Sequence, residues 1–276
     1  MKKAMNAWCV GPDFTMEETF AAIKAAGFDG VELNVDSEGK SPHSLGMKTT
    51  ASDYAAILDL SKKYDLKICS VASALWIPKM SDEALWSDAE ALLYKQIEAA
   101  TALGADGILV VPGGKNDMPS LLKARNASID FLKAQRDFIE HSGIFVGVEN
   151  VPTGFLTSPF DMAAFVDEIG SAKIGVYYDV GNMMPFTHSH HWIEVLGERI
   201  GKVHLKDYKR VGGLNSGGQS VDITEGDVEW DKVMPALREI GYDGYLVTET
   251  FKKDENMSYT DYINKVSKCV DKALEY

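Results

Sequence analysis

The order of apolar runs predicts a (β/α)8 barrel, an α/β fold in which residues 1–276 form one domain. Three observations carry that expectation. Eight short apolar runs alternate with eight helical patterns from one end of the chain to the other. One connection recurs three times, at Ala26-Gly27-Phe28-Asp29-Gly30-Val31-Glu32-Leu33, at Leu103-Gly104-Ala105-Asp106-Gly107-Ile108-Leu109-Val110 and at Ile240-Gly241-Tyr242-Asp243-Gly244-Tyr245-Leu246-Val247. Each copy is a helix end, a Gly suited to the left-handed position, an Asp-Gly turn and a strand, which is the α-to-β joint of a βα repeat. Finally, four successive strands in the C-terminal half end on, or carry near their ends, Glu149, Asp179, His204 and Glu249.

Lys3 to Val10 reads as the first strand, and the capping box Thr15-x-x-Glu18 opens a helix that closes at Gly27. Val31 to Val35 is the second strand; a loop through Pro42 and Gly46 leads to a helix from Ser52 to Tyr64. Leu66 to Ala72 is the third strand, followed by a long helical pattern to Leu103 that Ser87-x-x-Glu90 divides as an internal cap. Ile108 to Val111 is the fourth strand, broken by Pro112-Gly113-Gly114. A helix from about Pro119 to His141 leads to the fifth strand, which ends on Glu149. Ser158 caps the next helix, Gly170 stops it, and the sixth strand ends on Asp179. Helices from about Trp192 to Arg199 and from Trp230 to Ile240 precede the strands Lys202–Asp207 and Tyr245–Thr250, and a last helix spans about Tyr259 to Ala273. The competing fold, an open doubly wound sheet, would carry Gly-x-Gly-x-x-Gly after its first strand, and that turn is missing.

The net charge of −13 counts against a general nucleic-acid binder, which presents a basic surface. Cys9, Cys69 and Cys269 are scattered and never spaced as a Cys-x-x-Cys pair. A disulfide framework or a thiolate zinc site is therefore not expected, and a reducing, cytoplasmic setting fits. Met1-Lys2-Lys3 meets Asp13 before any apolar run reaches signal-peptide length, and no stretch approaches the ~18 apolar residues of a membrane span.

An acid at one strand end is ordinarily a helix cap or an ion-pair partner. Three carboxylates converging at one barrel mouth are another matter, because they repel one another unless a cation neutralises them. Glu149, Asp179, His204 and Glu249 thus read as a single-metal site at the C-terminal face of the barrel, where such folds do their chemistry. Hard oxygens with one imidazole suit Mn²⁺, Mg²⁺ or Co²⁺ and are acceptable to Zn²⁺.

Here the chain resembles the sugar phosphate isomerase/epimerase superfamily of xylose-isomerase-like barrels. Val148-Glu149-Asn150, Tyr178-Asp179-Val180-Gly181-Asn182, His204-Leu205-Lys206-Asp207 and Thr248-Glu249-Thr250 match its motifs in order. Glu225-Gly226-Asp227-Val228-Glu229-Trp230 is similar to its Gly-Glu-Gly-x-Val-Asp-Trp segment, with Thr224 in place of the first Gly. The resemblance implies a divalent metal held by Glu149, Asp179, His204 and Glu249, and 3-epimerisation of a ketose or ketose phosphate through a metal-stabilised enediolate. Glu149 and Glu249 would then act jointly as acid and base. A lyase of the inosose dehydratase kind, an abasic-site endonuclease and a non-catalytic sugar-binding barrel are the alternatives. The endonucleases of this superfamily use three zinc ions with extra His ligands, whereas this chain offers Asn182 after the sixth strand. Homodimers or homotetramers are the assemblies the resemblance implies, with a small-molecule sugar or sugar phosphate as the partner, and neither nucleic acid nor membrane.

Candidates for contacting substrate are Lys206, Asn182, Arg210, Trp8 and Trp76. Arg210 resembles an Arg that contacts substrate oxygens in related epimerases, set against a solvated Arg beside Lys209. Trp8 and Trp76 offer faces to a sugar, set against ordinary core packing. Lys206 and Asp207 either orient His204, bind substrate or form a structural ion pair. Glu32 and Asn34 end the second strand behind the site. His188, His190 and His191 read as solvated loop residues, with a second metal site as the sharper alternative. The Gly-rich stretch Val211–Gly218 is either a phosphate cradle or a mobile lid.

Overall fold

The computed structural model describes residues 1–113 and 120–276. Eight parallel strands close into a barrel: β1 (Lys2–Asn6), β2 (Gly30–Asn34), β3 (Lys67–Ala72), β4 (Gly107–Val110), β5 (Phe145–Glu149), β6 (Ile174–Asp179), β7 (Ile200–Leu205) and, after a hairpin of β8 (Asp207–Arg210) with β9 (Gly218–Val221), β10 (Tyr245–Thr248). Around the ring the order is β1-β10-β7-β6-β5-β4-β3-β2, with β2 pairing back onto β1. Outside lie α1 (Met16–Ala25), α2 (Ala51–Tyr64), α3 (Trp86–Leu103), α4 (Leu121–Ser142), α5 (Pro159–Ile169), α6 (Ser189–Leu196), α7 (Trp230–Glu239) and α8 (Tyr259–Leu274). No helix of the described residues is long and apolar enough to cross a membrane.

Local signals account for most boundaries. Thr15 and Thr50 both form capping boxes, with Glu18 and Asp53 respectively. The recurring joint is as expected: Gly27, Gly104 and Gly241 take φ of +84°, +70° and +76° at the helix ends. Buried apolar side chains of the strands' outer faces meet those of the helices, for example Phe20 and Ile23 of α1, Phe165 of α5 and Leu237 of α7. The N-terminal end of the barrel is plugged by Lys202, whose Nζ donates to the Cys69 carbonyl at 2.8 Å and pairs with Asp106.

Several expected boundaries shift, each for a local reason. β1 ends at Asn6, not Val10, because the Asn6 side chain accepts from the Trp8 amide and starts a 3₁₀ turn over Ala7–Cys9. Ser87 lies inside α3 and caps nothing; the break precedes it, in two 3₁₀ turns, Lys79–Ser81 and Glu83–Leu85, with Asp82 capping the second. The seventh strand stops at Leu205, and Asp207 begins an antiparallel hairpin whose tip is the Gly-rich stretch. α6 starts at Ser189, so the three histidines sit at a helix N-terminus and not in a loop. α4 starts at Leu121, with Ser120 as its cap; Gly114 and Pro119 lie outside the described residues.

Candidate metal centre

β5, β6, β7 and β10 are neighbours in the barrel, and their register brings the four predicted donors to one level. Asp179 pairs with His204, His204 with Val247, and Glu149 with Tyr177. Glu249 directly follows β10 and is held by its amide donating to the Leu205 carbonyl at 3.1 Å. One ligand atom from each of Glu149, Asp179, His204 and Glu249 lies within 4.8 Å of the others, the one such cluster among the described residues. Glu149 and Glu249 of this cluster line a cavity of about 700 Å³ at the C-terminal mouth of the barrel, and Asp179 and His204 are buried behind them.

Each donor is aimed by its neighbours. Asn150 clamps the end of β6: its Nδ2 donates to the Asp179 carbonyl at 2.9 Å and its Oδ1 accepts the Asp179 amide at 2.7 Å. Asp179 Oδ1 then accepts the amides of Gly181 and Asn182, both at 2.8 Å, which leaves Oδ2 pointing into the cluster. Oδ2 is buried and receives no hydrogen bond, although Lys206 Nζ stands 2.9 Å away out of alignment. A buried carboxylate oxygen without a donor is costly in a finished structure and is what an open coordination position provides.

His204 is buried between two sets of acids. Nε2 lies 2.7 Å from Glu32 Oε1, and Nδ1 faces Glu149 Oε1 at 3.3 Å and Glu249 Oε2 at 3.1 Å. Glu32 is itself fixed by Asn6, Ser70 and Tyr177, each donating at 2.6 Å. An acceptor at Glu32 calls for a proton on Nε2; although burial opposes the charge, the acids on both sides raise His204 well above its ordinary value, and a bound cation would take the place of the second proton at Nδ1. Burial disfavours every charge in this cluster, so the partners decide the outcome. Burial raises Glu149 above the usual carboxylate range, while Lys206 and His204 overcome the same burial and hold Glu249 down at about 2. Glu32 also ends below its ordinary value: burial opposes its ionisation, and the His204 charge outweighs it.

The arrangement of fold and donors can be set beside known proteins. The sequence model of the xylose isomerase-like TIM barrel matches residues 20–268. The chain belongs to that family. The SgbU protein of Escherichia coli K12, provisionally named an L-ribulose-5-phosphate 3-epimerase, is 24% identical over 86% of this chain and 84% of its own length. An uncharacterised Methanocaldococcus jannaschii protein is 28% identical over 55% of this chain, a match that spans about half, 53%, of that protein. Among solved structures, the IolI protein with a bound zinc atom superposes with a TM-score of 0.82 at 15% identity, covering 100% of this chain and 98% of its own. The D-allulose 3-epimerase of Methylomonas sp. in complex with D-allulose does so with a TM-score of 0.72 at 20% identity, covering 100% and 95%. At such identities the likeness carries the barrel itself.

Within this xylose isomerase-like barrel the other predicted residues divide. Lys206, Asn182 and Trp8 line the cavity, and Trp8 is braced by Nε1 donating to Asp36 at 2.9 Å. Trp76 does not reach it; the indole is fully buried, with Nε1 donating to Gln96 at 2.7 Å and to the Leu109 carbonyl at 3.1 Å. A buried indole N–H needs acceptors, and the core supplies two, so the expectation of a sugar-facing Trp76 is corrected to a core role. Arg210 spends its guanidinium on the carbonyls of Met184 at 2.7 Å and Thr187 at 2.8 Å, tying down the segment after Asn182, and is not among the cavity walls. The Gly-rich stretch is likewise apart from the cavity, at the exposed hairpin tip. His188 Nδ1 meets Glu229 Oε2 at 2.6 Å, and His190 Nδ1 lies 3.4 Å from the same atom.

Asp207 turns away from His204. Its carboxylate collects the amides of Tyr208, Thr224, Gly226 and Val228 and the indole N–H of Trp230, at 2.8–3.1 Å. The Glu225–Trp230 motif is the wrapping of this acid, and Gly226 is required there: a Cβ would stand 2.0 Å from Asp207 Oδ1. Missing from the sequence-based expectations were Asn6, Ser70 and Tyr177, the residues that hold Glu32. Tyr177 precedes Asp179 by two on the same strand face, so the period of two was the signal for it.

Proposed function

We propose that this chain is a divalent-metal-dependent 3-epimerase of a ketose. The observation that carries the reading is the convergence of three carboxylates and one imidazole at the strand ends, with Glu149 and Glu249 opening onto a sugar-sized cavity. Glu149, Asp179, His204 and Glu249 would hold the cation. A divalent ion there supplies Lewis-acid polarisation of the ketose carbonyl, which acidifies the neighbouring C–H. Glu149 and Glu249 approach from β5 and β10, with β6 and β7 between them in the ring, so the two carboxyl groups flank the substrate position. One carboxylate takes the C3 proton and the other carboxyl returns a proton to the opposite face, leaving the formula of the sugar unchanged.

Among the described residues, the walls favour an uncharged ketose over its phosphate. Trp8, Ile77, Pro78, Val111 and Pro152 give apolar surface, Asp82 adds a carboxylate, and Lys206 is the one cation of the described walls. A phosphate dianion would find no further positive charge among these residues and would meet an acid. A three-zinc endonuclease centre finds no support, since the described residues hold one ligand cluster.

The test is incubation with Mn²⁺ and a panel of ketoses and their phosphates in D₂O. Deuterium at C3 together with the C3 epimer is the expected result, with free ketoses turned over faster than phosphates. Absence of exchange into every sugar would remove the epimerase reading, and loss of water from the product would make the protein a lyase.

A further inference from the structure

A cation already stands among the predicted ligands. Lys206 Nζ lies 2.9 Å from Asp179 Oδ2 and 2.8 Å from Glu249 Oε2, two of the four groups assigned to the metal. Its position is built into the fold. Lys206 follows His204 by two residues, and its stem runs past Gly181, where a Cβ would come within 2.5 Å of Lys206 Cβ. Only a residue without a side chain after Val180 leaves that path open. Asn182 Oδ1 lies 3.3 Å from Nζ, and both residues line the cavity.

We propose that Lys206 is the internal counter-ion of the metal centre. It holds Asp179 and Glu249 together while no divalent ion is bound, and yields that place when one binds, after which its ammonium faces the cavity as a donor to a substrate oxygen. The proposal rests on the metal-centre reading above. Two cations cannot both sit at hydrogen-bond distance from Asp179 Oδ2 and Glu249 Oε2 without strong mutual repulsion. Lysine is the one that can move, because a flexible four-carbon stem carries its charge, and Asn182 offers an acceptor for the displaced ammonium. In the loaded centre three carboxylates balance one divalent ion and one ammonium, so the site presents no excess charge to a neutral sugar. Without Lys206 the empty centre would bury three carboxylates with His204 alone against them, a charge imbalance that destabilises a buried site.

Lys206→Met tests this on the metal-free protein. Mn²⁺ titrated in competition with a fluorescent chelator should bind the variant at least about tenfold more tightly than the parent, since no ammonium has to be displaced. The metal-free variant should melt below the parent, and its melting temperature should rise further on adding Mn²⁺. Equal or weaker Mn²⁺ binding by the variant would overturn the proposal while leaving the metal centre intact. A second measurement needs no variant. Carbamylation of the parent by cyanate, read at Lys206 by peptide mass spectrometry, should be faster with Mn²⁺ bound; an unchanged or slower rate would also overturn it. Failure of both proteins to bind Mn²⁺ or Zn²⁺ would instead remove the metal reading, and this proposal with it.

Discussion

Asp179 and Asp207 are two buried aspartates at the ends of neighbouring strands, and they are used in opposite ways. Asp207 has both oxygens saturated by five N–H donors, four from the backbone and one from Trp230. Asp179 has one oxygen saturated by two amides and the other left without a hydrogen bond inside the cluster. Burial is alike, at 0% and 1% exposure, so burial alone does not separate structure from function here. The count of satisfied lone pairs does: a finished set of hydrogen bonds holds a loop, and an unfinished one leaves room for a ligand.

The widest separation should come from the same substitution at both positions. Asp179→Asn should abolish tight Mn²⁺ binding and lower epimerase turnover by about three orders of magnitude or more, with a smaller loss of stability than at Asp207, since Lys206 keeps Glu249 as a partner and Oδ1 still accepts its two amides. Asp207→Asn should do the reverse. An amide NH₂ placed against N–H donors leaves at least one buried donor unpaired, a loss of about 2–4 kcal/mol in urea unfolding. Mn²⁺ affinity should stay close to the parent value. Calorimetric titration and unfolding midpoints on both variants decide the matter, and interchanged outcomes would dissolve the contrast.

Glu32 extends the comparison to a residue that touches the centre only through His204. Glu32→Gln keeps the shape but can no longer fix the Nε2–H tautomer as firmly, and Mn²⁺ affinity should fall about 10- to 100-fold. A structural role alone would lower the melting temperature and leave affinity untouched, so the two readouts are to be taken together.

Acid should act on the cluster with a defined sign. Glu249 is held at about 2, against an ordinary 4.5, because Lys206 and His204 outweigh its burial. A depressed folded value means that this stabilisation is complete above about pH 4.5 and is lost as the pH falls from there towards about 2. Burial moves Glu149 the other way, so its protonation eases that loss. In the metal-free protein, Lys206→Met removes the first of Glu249's favourable partners. Its urea midpoint should therefore fall less between about pH 5 and about pH 3 than the parent's does. An equally steep decline would show that Lys206 does not set the ionisation of Glu249.

The barrel and the four donors were legible because their signals are local. A Gly followed by Asp-Gly marks each α-to-β joint, and an apolar run ending on an acid marks a strand end, whatever the rest of the chain does. The sequence leaves Trp76 open between a sugar face and the core because the acceptors that take its N–H, Gln96 and the Leu109 carbonyl, come from other elements. The β8–β9 hairpin was hidden by its closeness to β7, since Lys206 alone separates the two strands. The Glu32 layer needs four strands at once: Asn6, Glu32, Ser70 and Tyr177 meet only when the barrel closes. Asp207 reads in sequence as a partner of His204, of substrate or of an ion pair because it is next to Lys206. Alternation across the strand sends neighbours to opposite sides, and the wrapping motif for Asp207 lies about twenty residues further on.

That wrapping motif contains the smallest testable effect. Where the resembling segment has Gly, this chain has Thr224, and it takes φ of +72° while its amide donates to Asp207 Oδ2 at 3.0 Å. A β-branched residue in the left-handed region is strained, at a cost of about 1–2 kcal/mol. The hydrogen bond to Asp207 requires the amide alone, so the side chain is not needed for it. Thr224→Gly should relieve the strain while giving the unfolded chain more freedom, which returns about 0.4–1 kcal/mol. The net result should be a gain of no more than about 1 kcal/mol in urea unfolding, with Mn²⁺ affinity unchanged, because the Asp207 nest holds the loop and not the metal ligands. A loss of stability would mean that the Thr224 side chain contributes a contact that outweighs its backbone strain; a change in metal affinity would mean that the two aspartates are coupled after all.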